Sequence, residues 1–331
     1  MGGDKMSTWK NKRVLVTGAT GLVGSWLVRR LLSEGAFVTG FILDHDPASE
    51  LIRSGDINRI SVVNGNLADQ SAVLRSVINM ENEIIFHLGA QTIVGTALLD
   101  PVNTFSSNIQ GTWNVLEAAR QSNGLVKSVM VASSDKAYGT SKTLPYTETM
   151  PLNGIGPYDV SKSCTDLIAQ SYGKTYEVPV VIARCGNIYG GGDLNWSRIV
   201  PGTIKSLLSG QIPIIRSNGK FIRDYIHVDD AVEAYMHMAN ATAQNGKFGE
   251  AYNFSRDEPI SVLEIYALIS QEVTGRYVEP EIRNTAKAEI ADQHLNSAKA
   301  RAELGWESTV TISQGLKRTH EWYKNFLTKG L

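Results

Sequence analysis

Val14-Leu15-Val16-Thr17-Gly18-Ala19-Thr20-Gly21-Leu22-Val23-Gly24 is an apolar run that passes through a glycine-rich turn into a helical pattern. Unbroken apolar residues over Arg13–Thr17 fit a strand buried on both faces, and Leu22–Ser33 carries the period of a helix. Glycines at the crossover leave backbone amides bare at a helix N-terminus, where they can receive a pyrophosphate. The spacing is GxxGxxG, not GxGxxG, and the strand-turn-helix context is what favours dinucleotide binding over a structural turn. Gly18, Thr20, Gly21, Leu22, Val23 and Gly24 are therefore candidate cofactor contacts.

The alternation continues along the chain. Apolar runs at Phe37–Leu43, Ile60–Val63, Ile84–Leu88, Ser128–Ala132 and Val178–Ala183 read as strands, separated by helical patterns near Ser71–Asn79, Thr104–Gln121 and Tyr158–Tyr176. This predicts an α/β fold with a Rossmann-like doubly wound parallel sheet. Beyond Gly186 the rhythm gives way to Gly/Pro-rich loops and short elements, which predicts a smaller interleaved C-terminal substrate-binding lobe. We expect residues 1–185 to bind the cofactor, with a return segment near 222–254, and residues 186–331 to form mainly the substrate lobe.

Lys+Arg 32 against Asp+Glu 33 in 331 residues, with no long basic cluster, points to a small-molecule substrate and away from nucleic acid. Cys164 and Cys185 show no Cys-x-x-Cys spacing and no Cys/His cluster, so neither a disulfide framework nor a metal centre is expected. No apolar run approaches the ~18 residues of a membrane span. Met1–Arg13 lacks the apolar core of a signal peptide, with Met6 a candidate natural start. A cytoplasmic protein without a membrane partner is the expectation.

Asp44 stands 20 residues beyond Gly24, where a carboxylate can bond the adenosine ribose. This favours NAD over NADP, against the plainer reading of a solvated turn acid. Asn66 and Leu67 end the third strand and can border the adenine, while Leu88, Gly89 and Ala90 end the fourth and can pass beneath the cofactor. His87 reads as a core residue.

On a helix starting near Pro157, Tyr158 and Lys162 share one face. The ammonium can then approach the phenol, whose ordinary pKa of about 10 must fall before it acts as a base at neutral pH. Such pairs are common by chance, but Ser133-Ser134-Asp135-Lys136 after the fifth strand adds a hydroxyl within reach.

Jointly, Thr17–Gly24, Asn108–Thr112, Ser133-Ser134, Tyr158 with Lys162, Arg184–Gly190 and Arg223–Asp230 resemble the extended short-chain dehydrogenase/reductases that modify nucleotide-sugars. The resemblance covers nearly the whole chain. Ser134-Asp135-Lys136 and the Gly190–Asp193 segment are most similar to the nucleotide-sugar 4,6-dehydratase branch, in particular the CDP-glucose 4,6-dehydratases. Arg223-Asp224-Tyr225-Ile226-His227 instead follows the general family pattern.

The resemblance implies NAD, a nucleotide-sugar substrate with a CDP-hexose favoured, and a homodimer. The implied reaction is oxidation at C4, loss of water across C5–C6 and hydride return to C6. Tyr158 is implied as base, Lys162 as its activator, Ser134 as donor to the reacting oxygen and Asp135 as acid for the departing hydroxyl. Lys136 stands where the family usually has a glutamate, as base or as an enolate-stabilising cation. Asn108 and Arg184 join Tyr158 and Lys162 on the cofactor side. Gln91, Arg198, Arg216 and His294 join Ser134 on the substrate side, with Asn187 and Arg223 at the diphosphate. The alternatives are an NAD-dependent 4-epimerase, which Asp135-Lys136 argues against, a decarboxylase, and a non-catalytic NAD- or nucleotide-sugar-binding protein. Joint retention of Ser134, Tyr158 and Lys162 argues against the last.

Overall fold

The computed structural model describes residues 8–285 and 290–329, so Met6 lies outside the described residues. Seven parallel strands form the main sheet: β1 (Arg13–Thr17), β2 (Phe37–Ile42), β3 (Ser61–Asn64), β4 (Ile84–His87), β5 (Ser128–Ala132), β6 (Val180–Cys185) and β7 (Glu250–Phe254). Their order is β7-β6-β5-β4-β1-β2-β3.

The strands are apolar because both faces are covered. Leu27, Val28 and Leu31 of α1 (Leu22–Ser33), with Val232, Ala234 and Tyr235 of the later helix Val228–Asn245, pack on one face. The other face takes Ala72, Val73 and Val77 of α2 (Gln70–Ile78), Val115 and Leu116 of α3 (Gly111–Arg120), and Ala169 of α4 (Pro157–Tyr176). Each large aliphatic side chain so buried contributes about 2 kcal/mol. Asp69 starts α2 by accepting the Ser71 and Ala72 amides. Strand order reverses between β1 and β4, which opens a crevice at the C-terminal strand ends.

The single helix expected over Thr104–Gln121 is broken into three pieces. Pro101–Phe105 starts with Asp100 capping the Asn103 amide, a π-helical turn follows at Ser106–Gln110, and α3 completes the run. Gly111 sits at the second junction, where a Cβ would stand 2.9 Å from the Leu67 Cβ.

The second lobe has its own core. Val200 and Ile204 of α5 (Ile199–Leu208), Ile265 and Ile269 of α7 (Val262–Thr274) and Leu316 and Tyr323 of α8 (Ile312–Lys329) meet there. The intervening α6 (Val228–Asn245) and β7 return to the sheet, so lobe and sheet interleave. Two indole N–H groups tie them together: Trp26 donates to the Gly191 carbonyl at 2.7 Å and Trp322 to Glu50 at 2.9 Å. Among the described residues no helix is long and apolar enough to cross a membrane.

Candidate active site

A cavity of about 1240 Å³ opens at the C-terminal ends of the strands, between the sheet and the second lobe. Its floor is bare backbone. Gly18 has φ +67°, and a Cβ there would lie 2.8 Å from Gly89 Cα; a Cβ on Gly24 would lie 2.1 Å from the Gly18 carbonyl oxygen. Below this floor Thr17 accepts the Leu88 and Gly89 amides at 3.1 and 2.9 Å, so its hydroxyl proton points to His87 Nδ1 at 2.9 Å. The Thr112 hydroxyl donates to Asn108 O at 2.6 Å and therefore accepts from His87 Nε2 at 3.1 Å. Burial and the nearby Lys162 charge push His87 down to about 3, so this neutral imidazole is a core brace.

Gly18, Thr20, Gly21, Leu22, Val23, Gly24, Asp44, Asn66, Leu67, Leu88, Gly89 and Ala90 all line this side of the cavity. A glycine turn packed directly on the Gly89 backbone, opening α1 without an acidic residue in its first turn, fits the diphosphate of NAD. The exposed Asp44 carboxylate beside it suits a ribose.

Across the cavity, Ser134, Asp135 and Lys136 lie on the turn that follows β5, while Tyr158 and Lys162 project from the first turns of α4. Ser134 Oγ donates to Asp135 Oδ1 at 2.9 Å, and Asp135 Oδ2 is buried without a partner. Lys136 donates to Gln293 Oε1. The expected approach of the Lys162 ammonium to the Tyr158 phenol is corrected. Lys162 Nζ donates to the Ala132 carbonyl at 2.8 Å and stays 6.0 Å from the Tyr158 ring centre. Burial pushes the phenol up to about 12, opposed by the Arg198 charge and a hydrogen bond with Ser134. Burial also pulls Lys162 down to about 8.

Gln91, Asn187, Arg198, Arg216 and Arg223 line the cavity as well. Arg198 bridges its two walls, reaching Asp193 at 3.0 Å and Thr92 at 3.3 Å. Arg223 Nη1 donates to the Ile222 and Ala291 carbonyls, each at 2.8 Å.

Three expected contacts do not line the cavity. Arg184 grips Asp166 with two hydrogen bonds of 2.7 and 2.8 Å at 1% exposure, so its charge is spent in the core. Asn108 is buried behind the floor, bonding both polar groups of the Gln91 backbone at 2.7 and 2.9 Å. His294 lies on an extended segment whose carbonyl accepts from Tyr146 N at 2.9 Å. Conversely, Asp159, Asp193 and Arg283 line the cavity. Asp159 could have been suspected from its place beside Tyr158; Arg283 has no local sequence signal. Among the described residues, no group of three or more His, Cys, Asp or Glu side chains could hold a metal ion.

Residues 15–319 match the family model described as GDP-mannose 4,6 dehydratase. CDP-glucose 4,6-dehydratase of Salmonella typhimurium is 31% identical, over 96% of this chain and 92% of that protein. UDP-glucose 4-epimerase of Mycolicibacterium smegmatis is 30% identical, over 95% of this chain and 99% of that protein. The dTDP-glucose 4,6-dehydratase of Streptomyces venezuelae, solved with NAD bound, superposes with a TM-score of 0.83 at 27% identity, covering 95% and 97% of the two chains. With a glycine cradle for NAD facing a Ser, Tyr and Lys set across one cavity, the chain belongs to the GDP-mannose 4,6 dehydratase family, as an NAD-dependent nucleotide-sugar-modifying enzyme of the 4,6-dehydratase/4-epimerase superfamily.

Proposed function

We propose that the enzyme is a nucleotide-sugar 4,6-dehydratase that converts CDP-glucose to CDP-4-keto-6-deoxyglucose. Asp135 carries this reading: it is 2% exposed, takes the Ser134 hydroxyl on Oδ1 and leaves Oδ2 buried without a partner beside the Tyr158 cavity. A carboxyl set in this place beside the cavity can serve as the acid toward a leaving hydroxyl. Epimerisation at C4 has no use for such an acid.

Bound NAD supplies the hydride acceptor and donor. Tyr158 takes the C4 hydroxyl proton, with the Arg198 charge favouring the phenolate. Lys162, held on Ala132 O, supplies a cation beneath the cofactor ribose. Asp135 gives its proton to the departing C6 hydroxyl, and Lys136 takes the C5 proton or stabilises the enolate. Asn187 and Arg223 hold the diphosphate, Arg198 and Arg216 add charge, and Gln91 lines the sugar end. The sum is loss of one water. In this reading residues 1–185, with the return near 222–254, bind NAD and residues 186–331 mainly bind the substrate.

Exposed Trp113 (42%) on α3 and Leu167 (53%) on α4 support a homodimer through these helices. The free thiols Cys164 and Cys185 fit a reducing cytoplasm.

A 4-epimerase is the second reading, favoured by the 30% identity to the Mycolicibacterium enzyme. The test is incubation with CDP-, dTDP-, GDP- and UDP-glucose without added cofactor. A product lighter by one water from CDP-glucose supports the proposal; an isobaric product from any of them replaces it.

A further inference from the structure

Gln293 stands 157 residues from Lys136 in sequence, is completely buried, and presents its amide oxygen to the Lys136 amine. Lysine has only donors, so the oxygen must face it. The NH2 group, short of a full hydrogen bond, is turned to the Tyr146 phenol. Burying a glutamine amide completely is costly unless it is hydrogen-bonded, and the Lys136 amine supplies that bond for the oxygen.

The segment that delivers it is pinned on both sides. Ile222 N donates to Ala291 O at 3.0 Å, Gln293 N to Ile222 O at 3.1 Å and Leu295 N to Asp224 Oδ2 at 2.6 Å. On the other side Tyr146 N donates to His294 O and Asn296 N to Tyr146 O, both at 2.9 Å. Arg223 adds its bond to Ala291 O, two residues before Gln293. The segment that tethers Lys136 is therefore bonded directly to a guanidinium of the cavity wall.

We propose that Gln293 is the positioning residue for Lys136, aiming its amine at the sugar end of the cavity. This rests on the dehydratase reading for its catalytic meaning. Among the described residues, Asp159 of α4 acts on the Lys136 charge, and Asp135 on the same turn is felt by Tyr146, Tyr158 and Asp224 around it. A carboxylate at position 293 would add a negative charge in direct contact and hold the ammonium form.

Two variants of the full chain test this. Gln293→Glu keeps the shape and, read by NMR of ε-13C-lysine-labelled protein with the Lys136 resonance assigned through Lys136→Arg, should raise the Lys136 midpoint by about one pH unit or more. In CDP-glucose turnover its pH profile should move by the same amount, and the shift should vanish in the Lys136→Met background. Gln293→Leu removes the tether and should lower kcat on the order of 10²-fold with KM within about twofold. An unmoved Lys136 midpoint in Gln293→Glu overturns the proposal, as does an equal profile shift with and without Lys136. If the wild type expels no water from any nucleotide-hexose, the dehydratase reading falls, while a moved Lys136 midpoint still upholds the Gln293 tether.

Discussion

Asn108 Nδ2 donates to Ser161 Oγ at 2.9 Å, joining the π-helical turn before α3 to the helix that carries Tyr158 and Lys162. Ser161 passes its own proton to the Tyr158 carbonyl at 2.7 Å. Asn108 also holds Gln91 through both backbone groups, so one amide fixes the cavity floor and the start of the catalytic helix together.

Truncating that amide strands several buried groups. Asn108→Ala should lower unfolding free energy by about 2 kcal/mol and weaken NAD binding, read by urea denaturation and by NAD titration. Unchanged stability and affinity would show that the floor and helix hold their places without it.

Arg184 separates a core role from a cofactor role. Arg184→Met leaves the Asp166 carboxylate buried without its guanidinium, though still bonded by the Gln170 amide, and should cost about 3 kcal/mol, whereas adding Asp166→Leu should recover most of that. The double variant should bind NAD as the wild type does. A weakened NAD affinity with normal stability would return Arg184 to the cofactor.

Most of the sheet was legible because β1, β2, β4, β5 and β6 are buried on both faces and read as apolar runs, and because the glycine cradle is contiguous in sequence. The π-helical turn was not, since Ser106–Gln110 has no breaker and its partners, the Gln91 backbone for Asn108 and the Ala68 carbonyl for Gln110, lie elsewhere in the chain. Arg184 misled for a related reason: its partner Asp166 is on α4, and nothing local says that a strand-end arginine turns inward. Gln293 was invisible, because only the closure of a distant loop brings it to Lys136.

Asp224 makes stability depend on pH. Burial pushes its carboxyl up to about 7 from 3.8, opposed by hydrogen bonds from Leu295 N and Ser255. Between those values the native state keeps a proton that the unfolded chain has lost, so this contribution to stability is full below the lower value and is lost as pH rises to the upper one. Asp224→Asn should flatten the loss and be more stable than wild type at pH 8 by on the order of 3 kcal/mol, with little difference at pH 4. Parallel urea curves at both pH values check it.

Asp135→Asn separates oxidation from elimination. The amide keeps an acceptor for the Ser134 hydroxyl but cannot give up a proton to a leaving group. With CDP-glucose the variant should develop reduced-nicotinamide absorbance near the wild-type rate while releasing at least about 10²-fold less dehydrated product. Loss of the absorbance change itself would place Asp135 in the oxidation half.

Lys162 is a residue whose function opposes stability. Burial lowers it from 10.5 to about 8, so at neutral pH the folded protein holds a charge in a site that disfavours it. Between pH 8 and 10.5 the unfolded chain keeps the proton that the native state has released, and the wild type gains stability through that window. Replacing the amine with methionine should therefore stabilise the protein at pH 7. The relief of about 3 kcal/mol is offset by about 1 kcal/mol for the lost bond to the Ala132 carbonyl, leaving about 2 kcal/mol. The advantage should shrink toward pH 10.5 while turnover is lost at every pH. If Lys162→Met is instead less stable at pH 7, the ammonium is held by partners strong enough to outweigh its burial, and its lowered pKa should then be absent when the lysine is titrated directly by NMR.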